Sequence, residues 1–227
     1  RFFKTGPGDY GFGDRFLGLR VPQTRLVVRE ARLDVPLPEI EKLLYSEWHE
    51  ARLAGFLFLV EEMKAALSRR RDDPAARALR RDEIAWFYLR HDRRANNWDL
   101  VDMSCPKILG EWLLRPGADG ILPDRVVLDR LTESDNLWEQ RIGIVTTWRL
   151  IRAGQTADTL RLAKKLLPHQ HDLIHKATGW MLREVGKSNM TALTAFLEAH
   201  HRQMSRTTLR YAIEKMPEPE RLQWLRR

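Results

Sequence analysis

The run Leu53-Ala54-Gly55-Phe56-Leu57-Phe58-Leu59-Val60-Glu61-Glu62-Met63-Lys64-Ala65-Ala66-Leu67 decides the fold class. Apolar residues recur at Leu53, Phe56, Leu57, Val60, Met63 and Leu67, the three-and-four spacing of a helix rather than the alternation of a strand. Its most apolar part, Gly55 to Val60, stops at Glu61-Glu62, well short of the roughly 18 to 20 apolar residues of a membrane span. The run therefore reads as core. A helix is predicted from Glu47 to about Arg70, ended by Asp72-Asp73-Pro74.

The same period continues outward in both directions. Pro22 suits the first position of a helix reaching Leu33, and Pro36 and Pro38 are expected to break the chain. Further helices are predicted over 74–93, 97–114, 123–133, 136–153, 157–167, 171–187, 190–202 and 206–215. No strand pattern competes. Connections of a few residues imply antiparallel neighbours, stacked as a bundle or as a solenoid of helix pairs.

Weak internal repetition favours the solenoid. Four predicted helices carry a first residue, a charged one four positions on, and small residues two or three beyond: Trp48/Arg52/Ala54-Gly55, Trp98/Asp102/Ser104, Leu137/Arg141/Gly143 and Asp172/Lys176/Thr178-Gly179. The charged positions fall 50, 39 and 35 residues apart, close to the repeat length of HEAT-like helix pairs with an insertion in the first interval. The expectation is an all-α solenoid of antiparallel pairs forming one domain over 1–227. Arg52, Asp102, Arg141 and Lys176 would share a concave, basic surface on which Asp102 is the acidic exception.

Composition supports a nucleic-acid partner. The 39 Lys and Arg against 31 Asp and Glu leave a net charge of +8 and a pI near 9.9, with arginine runs at 69–71, 80–81 and 93–94. A single cysteine, Cys105, excludes an internal disulfide and a cysteine-based zinc site, and reads as a small core residue. His171 and His175 have metal-like spacing but no third ligand in a recognisable position, so a solvated or helix-capping role is expected and no metal or other cofactor is assigned. Trp86, Trp112 and Trp148 read as core, and Glu139 as exposed charge. The chain begins at Arg1 rather than Met, so a preceding segment is expected to be missing, and cytoplasm, with association to the nucleoid, is the default location.

Gly6-Pro7-Gly8-Asp9-Tyr10-Gly11 satisfies G-x-G-x-x-G, but Pro7 and the lack of a βαβ pattern remove the strand and helix that a dinucleotide site needs. The first twenty residues are expected to form a flexible surface loop. In Asn96-Asn97-Trp98-Asp99-Leu100-Val101-Asp102 asparagine caps a helix, and the helix dipole alone accounts for Asp99. Trp98 and Asp102, one turn apart, present an aromatic ring and a carboxylate on one face. In the blander alternative Asp102 pairs with Arg141 and Trp98 is core. In the functional reading the carboxylate stabilises a sugar that gains oxocarbenium character as an N-glycosidic bond breaks, and aromatic faces such as Trp98 and Trp180 attract a cationic base. A charged alkylpurine leaves neutral, so no general acid is required.

Four runs, Asn97 to Asp102, Leu137-Trp138-Glu139-Gln140-Arg141, Ile174 to Glu184 and Arg206 to Lys215, resemble the DNA alkylation-repair glycosylases of the AlkD type, in the same order along nearly the whole chain. The resemblance implies a HEAT-like solenoid that cradles double-stranded DNA and excises alkylated purines such as 3-methyladenine and 7-methylguanine without a base-specific flipping pocket. It also implies Asp102 as catalytic aspartate, acting with Trp98, Trp180 and Arg141. Tyr10, Arg52, Lys176, Lys187, Arg206 and Arg210 are candidate DNA contacts, and about five neutralised phosphates would give a log–log salt slope near −4 to −5. No lysine is placed for a lyase step, and no obligate protein partner or membrane is expected. The competing class is a non-catalytic helical-repeat scaffold binding DNA or protein through the same surface.

Overall fold

The computed structural model describes residues 3–31, 34–68 and 73–226. Among them are twelve α-helices: α1 (Val21–Glu30), α2 (Leu37–Leu44), α3 (His49–Leu67), α4 (Pro74–Arg90), α5 (Trp98–Trp112), α6 (Val126–Thr132), α7 (Leu137–Arg152), α8 (Ala157–Leu166), α9 (Asp172–Ser188), α10 (Met190–His200), α11 (Arg206–Ile213) and α12 (Glu218–Arg226). Two short 3₁₀ turns join them, at Asp92–Arg94 and His201–Gln203. The only β feature among the described residues is an isolated parallel bridge between Arg15 and Trp48. No helix is long and apolar enough to cross a membrane among these residues. The protein is all-α, with the sequential helix packing of a helical repeat. The predicted helix ends at Leu33 and Arg70 and the Arg69–Arg71 run lie outside the described residues.

Two helices were not expected from the sequence. Helix α2 forms although Pro36 and Pro38 read as breakers, because Pro36 sits at the N-cap and Pro38 in the first turn, where a missing N–H breaks no helical bond. Helix α12 likewise carries Pro219 in its first turn. It is anchored by Trp224, which is buried and meets His201 edge-on at 5.6 Å.

The chain divides into two compact units, Arg1–Pro123 and Asp124–Arg227. In the first, α3 is the central element and packs against α1, α2, α4 and α5. Its run from Leu53 to Val60 is buried on every side, as a helix apolar all round must be. In the second, α9 takes the equivalent role among α7, α8, α10 and α11.

The small residues of the repeat mark close helix approaches. A Cβ on Gly55 would lie 2.7 Å from Leu44 of α2, one on Gly143 2.6 Å from Thr132 of α6, and one on Gly179 2.5 Å from the Tyr211 Cβ and 2.6 Å from the Thr208 carbonyl of α11. Ser104 is wholly buried and shares a 3.1 Å hydrogen bond with the Tyr88 hydroxyl of α4. At Gly55 the obstacle is the tip of a flexible leucine, whereas at Gly179 it is backbone and a Cβ. Gly179→Ala should therefore cost about 1–3 kcal/mol and lower the thermal midpoint more than Gly55→Ala does. Equal midpoints for the two variants in a melting experiment would contradict this packing.

Candidate functional site

The site in unit 1 is built where the N-terminal segment meets the starts of α3 and α5. That segment is irregular but pinned, unlike the flexible loop expected from its glycines. The Gly11 amide donates to the Lys4 carbonyl at 3.0 Å, where a Cβ would come within 2.8 Å of that oxygen. Gly18, at φ +81°, turns the chain so that the amides of Leu17, Gly18 and Leu19 donate to the buried Glu50 carboxylate at 2.8, 2.9 and 3.2 Å. The Arg15 carbonyl accepts from the His49 amide at 2.8 Å, and the Arg15 guanidinium lies 4.6 Å above the Trp48 ring.

A buried network of four charges closes this junction. His49, 2 % exposed, faces Asp99 through Nε2 at 2.9 Å and Asp14 through Nδ1 at 3.6 Å, the latter an ion-pair rather than a hydrogen-bond distance. Asp14 also receives the Arg52 guanidinium at 2.6 Å and the Asn97 amide at 3.2 Å. Two carboxylates thus face two cations. Burial disfavours the imidazolium, but the adjacent carboxylates of Asp14 and Asp99 outweigh it and raise His49 from 6.5 to about 9. Asp14 moves the opposite way: burial would raise it, yet His49, Arg52 and Asn97 together hold it below the ordinary carboxylate range. Phe3 and Phe16 cover the imidazole at 4.9 Å each.

Trp98 and Asp102 stand next to this network. The Asn97 side chain accepts from the Trp98 amide and caps α5, fixing both residues on the first two turns. The Trp98 indole N–H donates to the Tyr10 hydroxyl at 3.3 Å, and its ring lies 5.7 Å from Phe3. Asp102 is partly exposed, and Pro106, four residues on, cannot donate to its carbonyl. A cavity of about 580 Å³ opens here, its wall including Phe3, Phe16, His49, Trp98, Asp99 and Asp102.

Several residues occupy places other than those expected. Arg52 is 2 % exposed and binds the Ser46 and Glu47 carbonyls as well as Asp14, so it is an internal strut and does not present its guanidinium to solvent. Asp99 does more than balance a helix dipole, since it is a partner of buried His49. Glu139 is buried and accepts from the Ser134 hydroxyl. Trp86 is 53 % exposed rather than core, while Trp112 and Cys105 are buried.

In unit 2, Arg141 is buried on α7 and donates to the Leu173 carbonyl at 2.6 Å, just past the start of α9. Trp180 is partly exposed on α9. Lys176 pairs with Asp172, Lys187 with Glu184, and Arg206 donates to the Leu225 carbonyl; Arg210 is exposed. His171 caps α9 by accepting from the Leu173 amide, and the His175 Nε2–H donates to the His169 carbonyl. Burial holds the His171 imidazole below its ordinary range. No cluster of three metal-ligating side chains occurs among the described residues.

The sequence profile of a family described as DNA alkylation repair enzyme matches residues 1–216. No curated protein matches. A solved structure titled "Predicted DNA alkylation repair enzyme from Enterococcus faecalis" superposes with a TM-score of 0.68 at 16% identity, covering 92% of each chain, a likeness of fold.

Because His49 binds its proton more tightly folded than unfolded, its contribution is complete below pH 6.5 and disappears as pH rises through about 9. The amount at stake is up to about 3 kcal/mol. Thermal unfolding should show the midpoint falling across that window in the parent and staying flatter in His49→Gln. A parent as flat as the variant would refute the buried imidazolium.

Proposed function

This chain belongs to the DNA alkylation repair enzyme family, and on that premise we propose that it is a monofunctional alkylpurine DNA glycosylase. The observation that carries the reading is the placement of Trp98 and Asp102 on one face of α5, together on the wall of an open cavity. The substrate is double-stranded DNA bearing a positively charged alkylated purine, such as 3-methyladenine or 7-methylguanine. We read residues 1–227 as one glycosylase domain whose site residues are Asp102, Trp98, Trp180 and Arg141.

The chemistry follows from charge. The bond between C1′ of the deoxyribose and the purine nitrogen breaks with its electron pair going to the base, which leaves neutral because it began cationic. Positive charge then develops on the sugar, and the Asp102 carboxylate stabilises it and orients the water that adds to C1′. The water's proton passes to Asp102 and on to solvent. Trp98 offers its ring to the sugar and the cationic base, an attraction of roughly 0.5 to 2 kcal/mol, and Trp180 has the same role. The positive charge of the lesion both marks it and weakens its bond, so discrimination does not require a base-specific pocket. Arg141 orients the site from α7, and Tyr10, Lys176, Lys187, Arg206 and Arg210 contact the backbone.

Release of 7-methylguanine from a methylated duplex tests this directly. Asp102→Asn should lower single-turnover release by about 10²- to 10³-fold while leaving duplex affinity within a few-fold of the parent. Release unaffected by Asp102→Asn, or none from either protein, would overturn the reading and leave a helical-repeat DNA-binding scaffold.

A further inference from the structure

A second surface of unit 1 carries charge that the candidate site does not use. Helix α1 is seated by its buried residues Thr24 and Val28, which turns Pro22, Arg25 and Arg29 to the other side at three- and four-residue spacing. There α1 and α3 bound a groove of about 360 Å³ lined by Arg25, Arg29 and Lys64, with Glu61 as its one acidic residue. Glu61 is already engaged by Lys64 at 3.0 Å. Lys107 of α5, which is not on the wall of the groove, stands close enough to Arg25 and Lys64 to feel their charges. Partial desolvation, then the charges of Arg25 and Lys64, hold its ammonium below the ordinary lysine range. The side chains of Arg25, Arg29 and Lys107 have no hydrogen bond or ion pair with any described residue.

Four cations converging from three helices around a single carboxylate, Glu61, leave an excess of positive charge that favours an anion. Two arginines one turn apart present planar donor forks, which suit phosphate oxygens better than a point charge would. Position narrows the choice further. Pro22 lines both this groove and the cavity that holds Trp98 and Asp102, so the start of α1 is the partition between the two. An anion in the groove would lie next to whatever occupies the cavity, as the phosphates of a DNA strand lie next to its sugars.

We propose that Arg25, Arg29 and Lys64, with Lys107 beside them, form a phosphate-binding groove that grips the backbone of the lesion-bearing DNA strand beside the sugar facing Asp102. The assignment of the strand rests on the glycosylase reading, whereas the grip on DNA phosphate does not. None of these four residues stands out in the sequence, because they come from three helices and belong to no contiguous basic run.

The test is binding of an unmodified duplex across a range of salt by the parent and by Arg25→Gln/Arg29→Gln/Lys107→Gln. Each phosphate contact contributes about 0.9 to the log–log slope. The triple variant should therefore flatten the slope by about 2 to 3 and raise Kd at least tenfold at low salt. A control with equal charge loss on α2, α4 and α8, Lys42→Gln/Arg90→Gln/Lys164→Gln, should keep the parent slope. An unchanged slope in the triple variant, an equal change in the control, absence of duplex binding by the parent, or preference of the groove for anionic phospholipid vesicles over duplex would each overturn the proposal. Excision separates it from the glycosylase reading. A parent that excises 7-methylguanine while the triple variant keeps its salt slope refutes the groove alone, and a groove-dependent slope without excision refutes the glycosylase alone.

Discussion

The organisation of unit 1 depends on a positive charge held inside it. His49 starts α3, Asp99 lies in the first turn of α5, and Asp14 belongs to the irregular N-terminal segment, so one imidazolium ties three separate stretches of chain together. Burying any one of these charges alone would be costly; with Arg52 they form a balanced set in which each carboxylate meets a cation. Glu50 reinforces the same junction by taking three backbone amides that would otherwise have no strand or helix to satisfy them. The consequence reaches the candidate site, because the pinned segment supplies Phe3 and Tyr10, both of which contact Trp98.

Most of the helical architecture was legible from the sequence, since the apolar period in Leu53 to Leu67 and its counterparts reflects burial directly. The repeat register also had a physical meaning that the structure makes explicit: Gly55, Gly143 and Gly179 are small because another helix approaches within contact of each. What periodicity did not give was α2 and α12. Both are short and open near prolines, and a proline in a first turn reads as a break unless one asks which N–H groups the helix needs.

The site was legible in part, and the register contained more than its first reading extracted. Aligning Trp48 with Trp98 also aligns His49 with Asp99, and these are the two residues that meet at 2.9 Å. Considered singly, Asp99 was explained by its helix terminus and His49 carried no motif. The pairing is visible only when equivalent helices are compared position by position. Arg52 illustrates the opposite difficulty. In register with Asp102 it suggested a surface, but carbonyls at the end of the α2–α3 connection and the Asp14 carboxylate draw it inside. Asp14 itself lies in a segment with no periodicity, so nothing local announced it.

These constraints fix Asp102 beside Trp98 in a basic protein. Trp98 and Asp102 need only the first two turns of α5 to be fixed, and the Asn97 cap together with the Asp99–His49 contact does that. The charge on His49 is the premise of this arrangement, and nitrogen-15 NMR of its side chain reads that charge directly. With the signal assigned by comparison with His49→Gln, the ring should remain an imidazolium at neutral pH and titrate near pH 9. A neutral ring at pH 7.5, titrating at or below 6.5, would contradict the account.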